Sequence, residues 1–447
     1  MSGEDALLPP WANRQQDVSP PEDWQQVPLA TIADIRFSSV DKKSYAGEKP
    51  VRLCNYTDVY NNDYIFGDED FMSATASDSE IARFSVQPGD VIITKDSETP
   101  DDIGIPVVIE ASSPDLLCGY HLALIRPNQN RVDSIFLAKQ LAHERLSRYF
   151  ARLANGLTRY GLPTVAVENV PVWVPLLGEQ QSVAGILRGI DESIAKTESL
   201  IHKLKAIKQG LMHDLLTCGL DDNGQLRDSE RHPEHFKESP LGLVPRDWTI
   251  KPLSDLTDVD RGKFMHRPRN DPRFYGGEHP FVQTGDVAAA DGRVLNSFSQ
   301  TLNARGAIVS QEFPEGTIAI TIAANIADTA ILGRPMYFPD SIVGAVVKPP
   351  NAIRYIELRI RYRKKWLSAQ APQSAQKNIN LETLRPLLLP VPNPEEQLKI
   401  AEIYDRLDSR IQSEEAYHSK LKAIKKGLMQ DLLTGRVRVK DPLEEGD

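Results

Sequence analysis

The chain has 447 residues, 40% of them hydrophobic and 26% charged, with a net charge of −10. That length exceeds what one hydrophobic core usually organises, so two globular domains with connecting elements are expected. The acidic balance excludes indiscriminate attraction to nucleic acid, which rests on Lys and Arg neutralising phosphates, so any DNA contact must come from local basic clusters or from partners.

No stretch reaches the roughly 18 consecutive apolar residues of a membrane span. The N-terminus, with Glu4, Asp5 and Pro9-Pro10, lacks a basic region followed by an apolar one, and a cytoplasmic protein without membrane contact is expected. Cys54, Cys118 and Cys218 stand far apart, which leaves no disulfide framework and no Cys-x-x-Cys metal site.

In chain order, residues 1–21 match no pattern. From residue 22 the first globular segment, 22–176, opens with Pro21-Glu22-Asp23-Trp24 and Pro28-Leu29. Val86 to Thr94 and Leu122 to Arg126 read as short strands, with turns at Pro88-Gly89 and Cys118-Gly119. Ser134 to Leu153 reads as a helix. Arg36, Lys42 and Lys43 follow the opening segment and are candidate DNA contacts. Lys95 is another, against the alternative of a surface lysine paired with Asp96 or Glu98. Tyr120 and His121 read equally well as core.

The segment 177–218 reads as one long helix. Val183, Leu187, Ile190, Ile194, Thr197, Ile201, Leu204, Lys208, Leu211 and Leu215 alternate steps of four and three, the seam of a coiled coil. About forty residues at ~1.5 Å each give a rod on the order of 60 Å, a spacer between domains. A linker, 219–240, leads to a second globular segment, 241–392. It opens with Pro245-Arg246-Asp247-Trp248 and Pro252-Leu253 and carries Arg261, Lys263, His266, Arg267, Arg269 and Arg273, interleaved with Phe264, Phe274 and Tyr275. Such side chains bind phosphates, reach base edges and stack, although a solvated loop has the same composition. Ile353 to Leu367 reads as a helix whose Arg354, Arg359, Arg361, Arg363, Lys364 and Lys365 either touch phosphate or form a solvated face.

A second long helix, 393–434, precedes a tail, 435–447. Its seam runs through Ile400, Tyr404, Leu407, Ile411, Leu421, Leu428 and Leu432. Glu414, His418 and Lys425 interrupt it, so loose packing is expected there.

The two helices are nearly the same text. KLKAIKQGLMHDLLT, Lys203 to Thr217, recurs as KLKAIKKGLMQDLLT, Lys420 to Thr434, with 13 of 15 positions identical at an offset of 217. Glu179-Gln180 falls on Glu396-Gln397 and Asp191 on Asp408 at the same offset. The expected fold is therefore mixed α/β: two similar α/β domains and two long repeated helices that pair as an antiparallel coiled coil, related by a pseudo-two-fold.

No phosphate loop, glycine-rich cofactor turn, His-Glu-x-x-His, Gly-x-Ser-x-Gly elbow or Asn-Pro-Pro-aromatic motif occurs, and no spacing of carboxylates marks a nuclease metal site. No catalytic residue and no metal or cofactor site is expected.

Three features together resemble the specificity subunits of type I restriction-modification systems. A strand and proline lead into Glu-Gln and a long helix, at Val172 to Gln180 and Leu389 to Gln397. Each helix closes with Lys-x-Gly-Leu-Met-x-Asp-Leu-Leu-Thr. Phe236 to Trp248 resembles the segment that opens a second target-recognition domain. The resemblance spans residues 22 to 436. It implies that each domain reads half of a split double-stranded DNA site, and that the helices bind two modification subunits. Those subunits hold S-adenosylmethionine and methylate adenine; motor-nuclease subunits are a further partner. A coiled-coil scaffold without DNA recognition and a stand-alone DNA-modifying enzyme are the alternatives from the residues alone.

Overall fold

The computed structural model describes residues 19–266, 268–323, 325–371 and 378–439. The chain divides into two compact units, Met1–Ser199 with Ala416–Asp447 and Leu200–Glu415.

In the first unit a five-stranded sheet runs Ala33–Phe37, Leu122–Pro127, Val91–Thr94, Pro106–Ile109 and Tyr64–Ile65 in spatial order. All neighbours are antiparallel except the last pair. The second unit repeats the plan with Thr257–Arg261, Ile342–Val347, Ile318–Thr321, Thr329–Leu332 and Val294–Leu295, again with only the last pair parallel. Both sheets are covered on both faces. Along Val91–Thr94, Val91 and Ile93 enter one apolar cluster and Ile92 the other; Ile318, Ile320 and Ala319 alternate likewise. Each unit is closed by a two-stranded ribbon, Gln25–Pro28 with Pro171–Val174 and Thr249–Pro252 with Leu388–Val391. The smaller sheets differ: three strands in the first unit, Met72–Ala76, Lys49–Cys54 and Leu116–Cys118, and four in the second, including Tyr275–Phe281 and Gln300–Leu302.

The long helices span Leu177–Thr217 and Pro394–Leu432. Their seams face inward. Val183, Leu187, Thr197, Ile201 and Leu215 are buried, and Ile190, Ile194, Leu204, Lys208 and Leu211 half-buried. On the second helix Ile400, Tyr404, Ile411, Leu421 and Leu432 are buried, and Leu407 and Leu428 half-buried. In the first unit Val183, Ala184 and Leu187 share a core with Leu432 and Leu433; in the second, Leu215 and Leu216 share one with Ile400 and Tyr404. Lys208 meets Asp408, and Lys205 meets Glu415 at 2.7 Å, so residue numbers rise on one helix as they fall on the other, an antiparallel pairing.

The Glu-Gln pair in the first turn of each long helix has a physical reason. Gln180 Oε1 accepts from the Asp133 amide at 2.9 Å while its Nε2 donates to the Pro175 carbonyl at 2.9 Å. Gln397 repeats this with the Ala352 amide, 2.9 Å, and the Pro392 carbonyl, 3.0 Å. One buried amide thus ties each long helix to the first turn of a domain helix. Glu396 accepts from Arg227 at 2.7 Å and Trp248 Nε1 at 3.1 Å; Glu179 pairs with Arg438 at 2.7 Å. The glycine after each helix is left-handed, Gly219 at φ +67° and Gly435 at φ +70°, and a Cβ would lie 2.4 Å from Trp248 or from Pro21.

Several expectations need correction. Ser134 to Leu153 is two helices, Ser134–Ala142 and Glu144–Leu153, because His143 is extended and its ring accepts the Arg145 amide at 3.3 Å as a new cap. Ile353 to Leu367 likewise divides into Ile353–Tyr362 and Lys364–Gln370. The strand read from Val86 begins only at Val91, since the turn at Gly89, φ +88°, precedes it. Lys425 does not loosen the seam. It sits between Asp191 at 2.6 Å and Asp63 at 2.8 Å. His418 is half-buried at the seam, and its Nε2 has no hydrogen-bond partner.

Candidate nucleic-acid interface

In the first unit, loops at one end of the sheet converge. The Tyr120 amide donates to the Val40 carbonyl at 2.8 Å, and Ser38 Oγ to the Cys118 carbonyl at 2.6 Å. Lys95 Nζ lies 5.9 Å from the ring centroids of both Phe37 and Tyr120, a cation–π arrangement. Tyr120 and His121 hold their rings 4.0 Å apart, and His121, in the left-handed region at φ 71°, turns Nδ1 onto Asp96. The structure thus groups Lys95, Tyr120 and His121, with Lys42 and Lys43 exposed on the loop after Val40. Arg36 is not part of the group: its guanidinium is occupied by Asp34 at 2.8 Å and the Arg83 carbonyl at 2.9 Å.

A hairpin missing from the sequence reading completes this face. Tyr160–Gly161 pairs with both Asn155–Gly156 and Asp96–Ser97, leaving Leu157 95% exposed and Arg159 exposed at the tip. The Asn155-Gly156 dipeptide is a turn signal that could have found it. The segment at the same offset in the second unit, 372–377, lies outside the described residues.

In the second unit the basic loop is held by carboxylates. Arg269 pairs with Asp340 at 2.7 Å, and Arg261 donates to the Asp340 backbone carbonyl. Arg273 pairs with Asp271 at 2.7 Å, and His266 bonds the same carboxylate at 3.0 Å while stacking on Phe274 at 4.1 Å. Hydrogen bonds from Arg273 hold the Asp271 carboxyl well below its usual range. Lys263 is exposed; Arg267 lies outside the described residues. Arg269 and Arg273 remain 49% and 70% exposed, so a phosphate can compete for them.

The basic helix is, over its first part, a correction of both of its readings. Arg359 is buried and donates to the Leu216 carbonyl. Arg354 and Arg361 both pair with the fully buried Glu357 at 3.0 Å, and Thr329 Oγ1 donates to it at 2.7 Å. Lys364 pairs with Asp328, half-buried Arg363 lies over the Trp366 ring at 4.9 Å, and Lys365 is exposed. Arg354, Arg359 and Arg361 therefore hold the domain against the long helices, through Asp405, the Leu216 carbonyl and the Tyr404 ring, whereas Lys364 and Lys365 are exposed as the solvated reading expects.

Where the helical seam is polar, the charges answer one another. Asp408 lies against Lys208 and, at 2.8 Å, Arg293. Burial pushes its carboxyl up, but the bonds from Arg293 and Lys208 outweigh this and hold it well below the usual range. Asp191 meets Lys425 at 2.6 Å and Lys139 at 2.7 Å. In the linker, exposed His232, Glu234 and His235 bring ligand atoms within 4.8 Å of one another, a cluster the sequence reading passed over. Among the described residues no helix is long and apolar enough to cross a membrane.

A family model described as the type I restriction modification DNA specificity domain matches residues 245–423. A Methanocaldococcus jannaschii protein assigned as the MjaX type I restriction enzyme specificity subunit is 23% identical over 429 residues, covering 94% of this chain and 95% of its own. The MjaVIII specificity subunit of the same organism is 28% identical over 299 residues, covering 63% and 66%. Among solved structures, the S subunit of the type I restriction-modification system from M. genitalium shares the fold with a TM-score of 0.57 at 13% identity, over 94% of this chain and 97% of that one.

Proposed function

Because the chain belongs to the type I restriction-modification specificity-subunit family, we propose that each unit reads one half of a bipartite double-stranded DNA site and that the long helices set the spacer. It is the non-catalytic component of such an enzyme. The observation that carries the two-half reading is the repeated sheet topology bearing unlike loops: Lys95, Tyr120, His121 and the Leu157 hairpin in one unit, the Phe264 to Tyr275 loop in the other. A common scaffold with different contact surfaces is what reading two different sequences requires.

The helices would dock two modification subunits, which bind S-adenosylmethionine and methylate adenine, with motor-nuclease subunits cutting unmodified DNA. The support is a repeated exposed apolar pair: Leu200 and Ile207 on the first helix, Tyr417 and Ile424 at the same offset on the second. Two equivalent patches suit two copies of one partner. The complex would act in the cytoplasm, where its DNA lies.

The test is co-expression with the modification partner followed by mapping of methylated adenines. A split motif methylated only when this chain is present is expected; methyl transfer by this chain alone contradicts the reading.

A further inference from the structure

The second unit holds a concave site that duplex reading leaves unused. A cavity of about 410 Å³ opens where the basic loop meets the strands Tyr275–Phe281 and Gln300–Leu302. Its floor is aromatic. Phe264 and Phe281 are buried with ring centroids 5.5 Å apart, and Tyr275 lies 5.7 Å from Phe264. Its wall carries amides: Asn270, Gln283 and Gln300, with Gln283 Nε2 donating to Gln300 Oε1 at 3.1 Å. The Tyr275 hydroxyl donates to the Arg269 carbonyl, which ties the loop over the ring. Close by in the chain, Met265 and Ile308 are 73% and 80% exposed, and the Met265 amide donates to the Val309 carbonyl at 3.0 Å. That bond brings the backbone segments that carry the two exposed side chains side by side.

A base within a duplex offers only its edge in a groove, which a protruding side chain reads and a cavity does not. A base that has left the stack needs an aromatic surface for its face, amides for its hydrogen-bonding edge and a pocket to enclose it. Apolar side chains inserted at the vacated step offset part of the lost stacking. All of these are present here. We propose that this cavity takes one nucleobase of the second half-site, extruded from the duplex. Tyr275 meets its face, Gln283 and Gln300 read its edge, and Met265 and Ile308 enter the gap. The inference rests on the DNA-reading function above. A free nucleoside offers the same ring chemistry, but it gives Met265 and Ile308 nothing to do.

The assembled complex with its modification partner tests this on duplexes carrying its mapped site. Each base pair of the second half-site is made a mismatch by changing one strand and then the other. An extruded base costs least when already unpaired, so at one position a mismatch should tighten binding at least threefold. Gln283→Ala and the exposed-site variant Gln300→Ala should each remove that gain, Met265→Ser should weaken binding to the matched site, and the first half-site should be unaffected. The inference is overturned if every mismatch weakens binding or leaves it unchanged, or if the gain survives both glutamine variants. Saturable binding of free adenosine, guanosine, cytidine or thymidine without any mismatch gain would assign the cavity to a nucleoside and also overturn it. These outcomes leave the DNA-reading function standing, whereas absence of site-specific binding by the assembled complex removes both.

Discussion

Asp191 meets Lys425 in the first unit, and Asp408 meets Lys208 in the second. The four residues are two repeated positions, since 191 and 408, like 208 and 425, differ by 217. Each unit takes its acid from one helix and its base from the other. The third partner is not repeated: Lys139, on a domain helix, joins Asp191, whereas Arg293, from a loop, joins Asp408. The candidate contact faces diverge further, with an exposed hairpin tip in one unit and an aromatic cavity in the other. Duplication is therefore retained where two helices must find one register and relaxed at the faces proposed to read DNA.

The largest effect should come from breaking the repeated part. Asp408→Ala leaves Lys208 and Arg293 facing a partly buried site without their carboxylate, and loss of one member of a buried pair costs about 3–5 kcal/mol. Chemical denaturation should show that loss, with Asp191→Ala behaving alike. Replacing Lys208→Met and Arg293→Met together with Asp408→Leu should recover most of it, because an apolar set leaves neither cation without its carboxylate. Equal losses in single and combined variants would show that these charges do not set the seam.

Breaking the divergent part should give a smaller and local effect. Lys95→Ala should weaken binding by the assembled complex about tenfold, the order of one or two kcal/mol for a DNA-contact cation, through the first half-site alone. Competition between duplexes altered in one half or the other would measure this. A loss shared equally by both halves would break the comparison.

Acid should sharpen it. The folded carboxyl of Asp408 titrates below its ordinary value of 3.8, so its contribution is present above that value and lost as pH falls through the lowered one. Asp63, beside Lys139 and Lys425 in the first unit, is shifted in the same direction: burial pushes it up, and the two lysines more than offset this. Stability should fall on acidification below pH 3.8, and Asp408→Asn should show a shallower fall than the parent. The smallest effect belongs to Arg36→Ala. Its guanidinium already serves Asp34 and Arg83, so binding should change less than about twofold, within the ±0.5 kcal/mol of an ordinary surface change.

The helices were legible in the sequence because a seam of period 3.5 survives over about forty residues and is written twice. Of the sheets, Val91–Thr94 and Leu122–Pro127 could be read as strands, but their pairing could not, because Val91–Thr94 is buried on both faces and shows no alternation, and its partners are four to six residues long and scattered along the chain. The basic helix misled because composition records a charge but not its partner: Glu357, between Arg354 and Arg361, is the residue that turns a phosphate-like face into a buried cluster. At the candidate interface, Lys95, Tyr120 and His121 could be named from local sequence. The convergence of Gln283, Gln300 and Phe264 depends on a strand pairing that joins segments far apart in the chain, and no spacing rule announces it.

Exchanging one unit tests most directly whether each unit reads its own half-site. Residues 241–392 are replaced by the equivalent segment of a relative, and methylated sites are mapped in cells carrying the modification partner. One half of the methylated motif should change while the other half and the spacer persist. A motif altered in both halves, or unaltered in either, would contradict the assignment of one half-site to each unit.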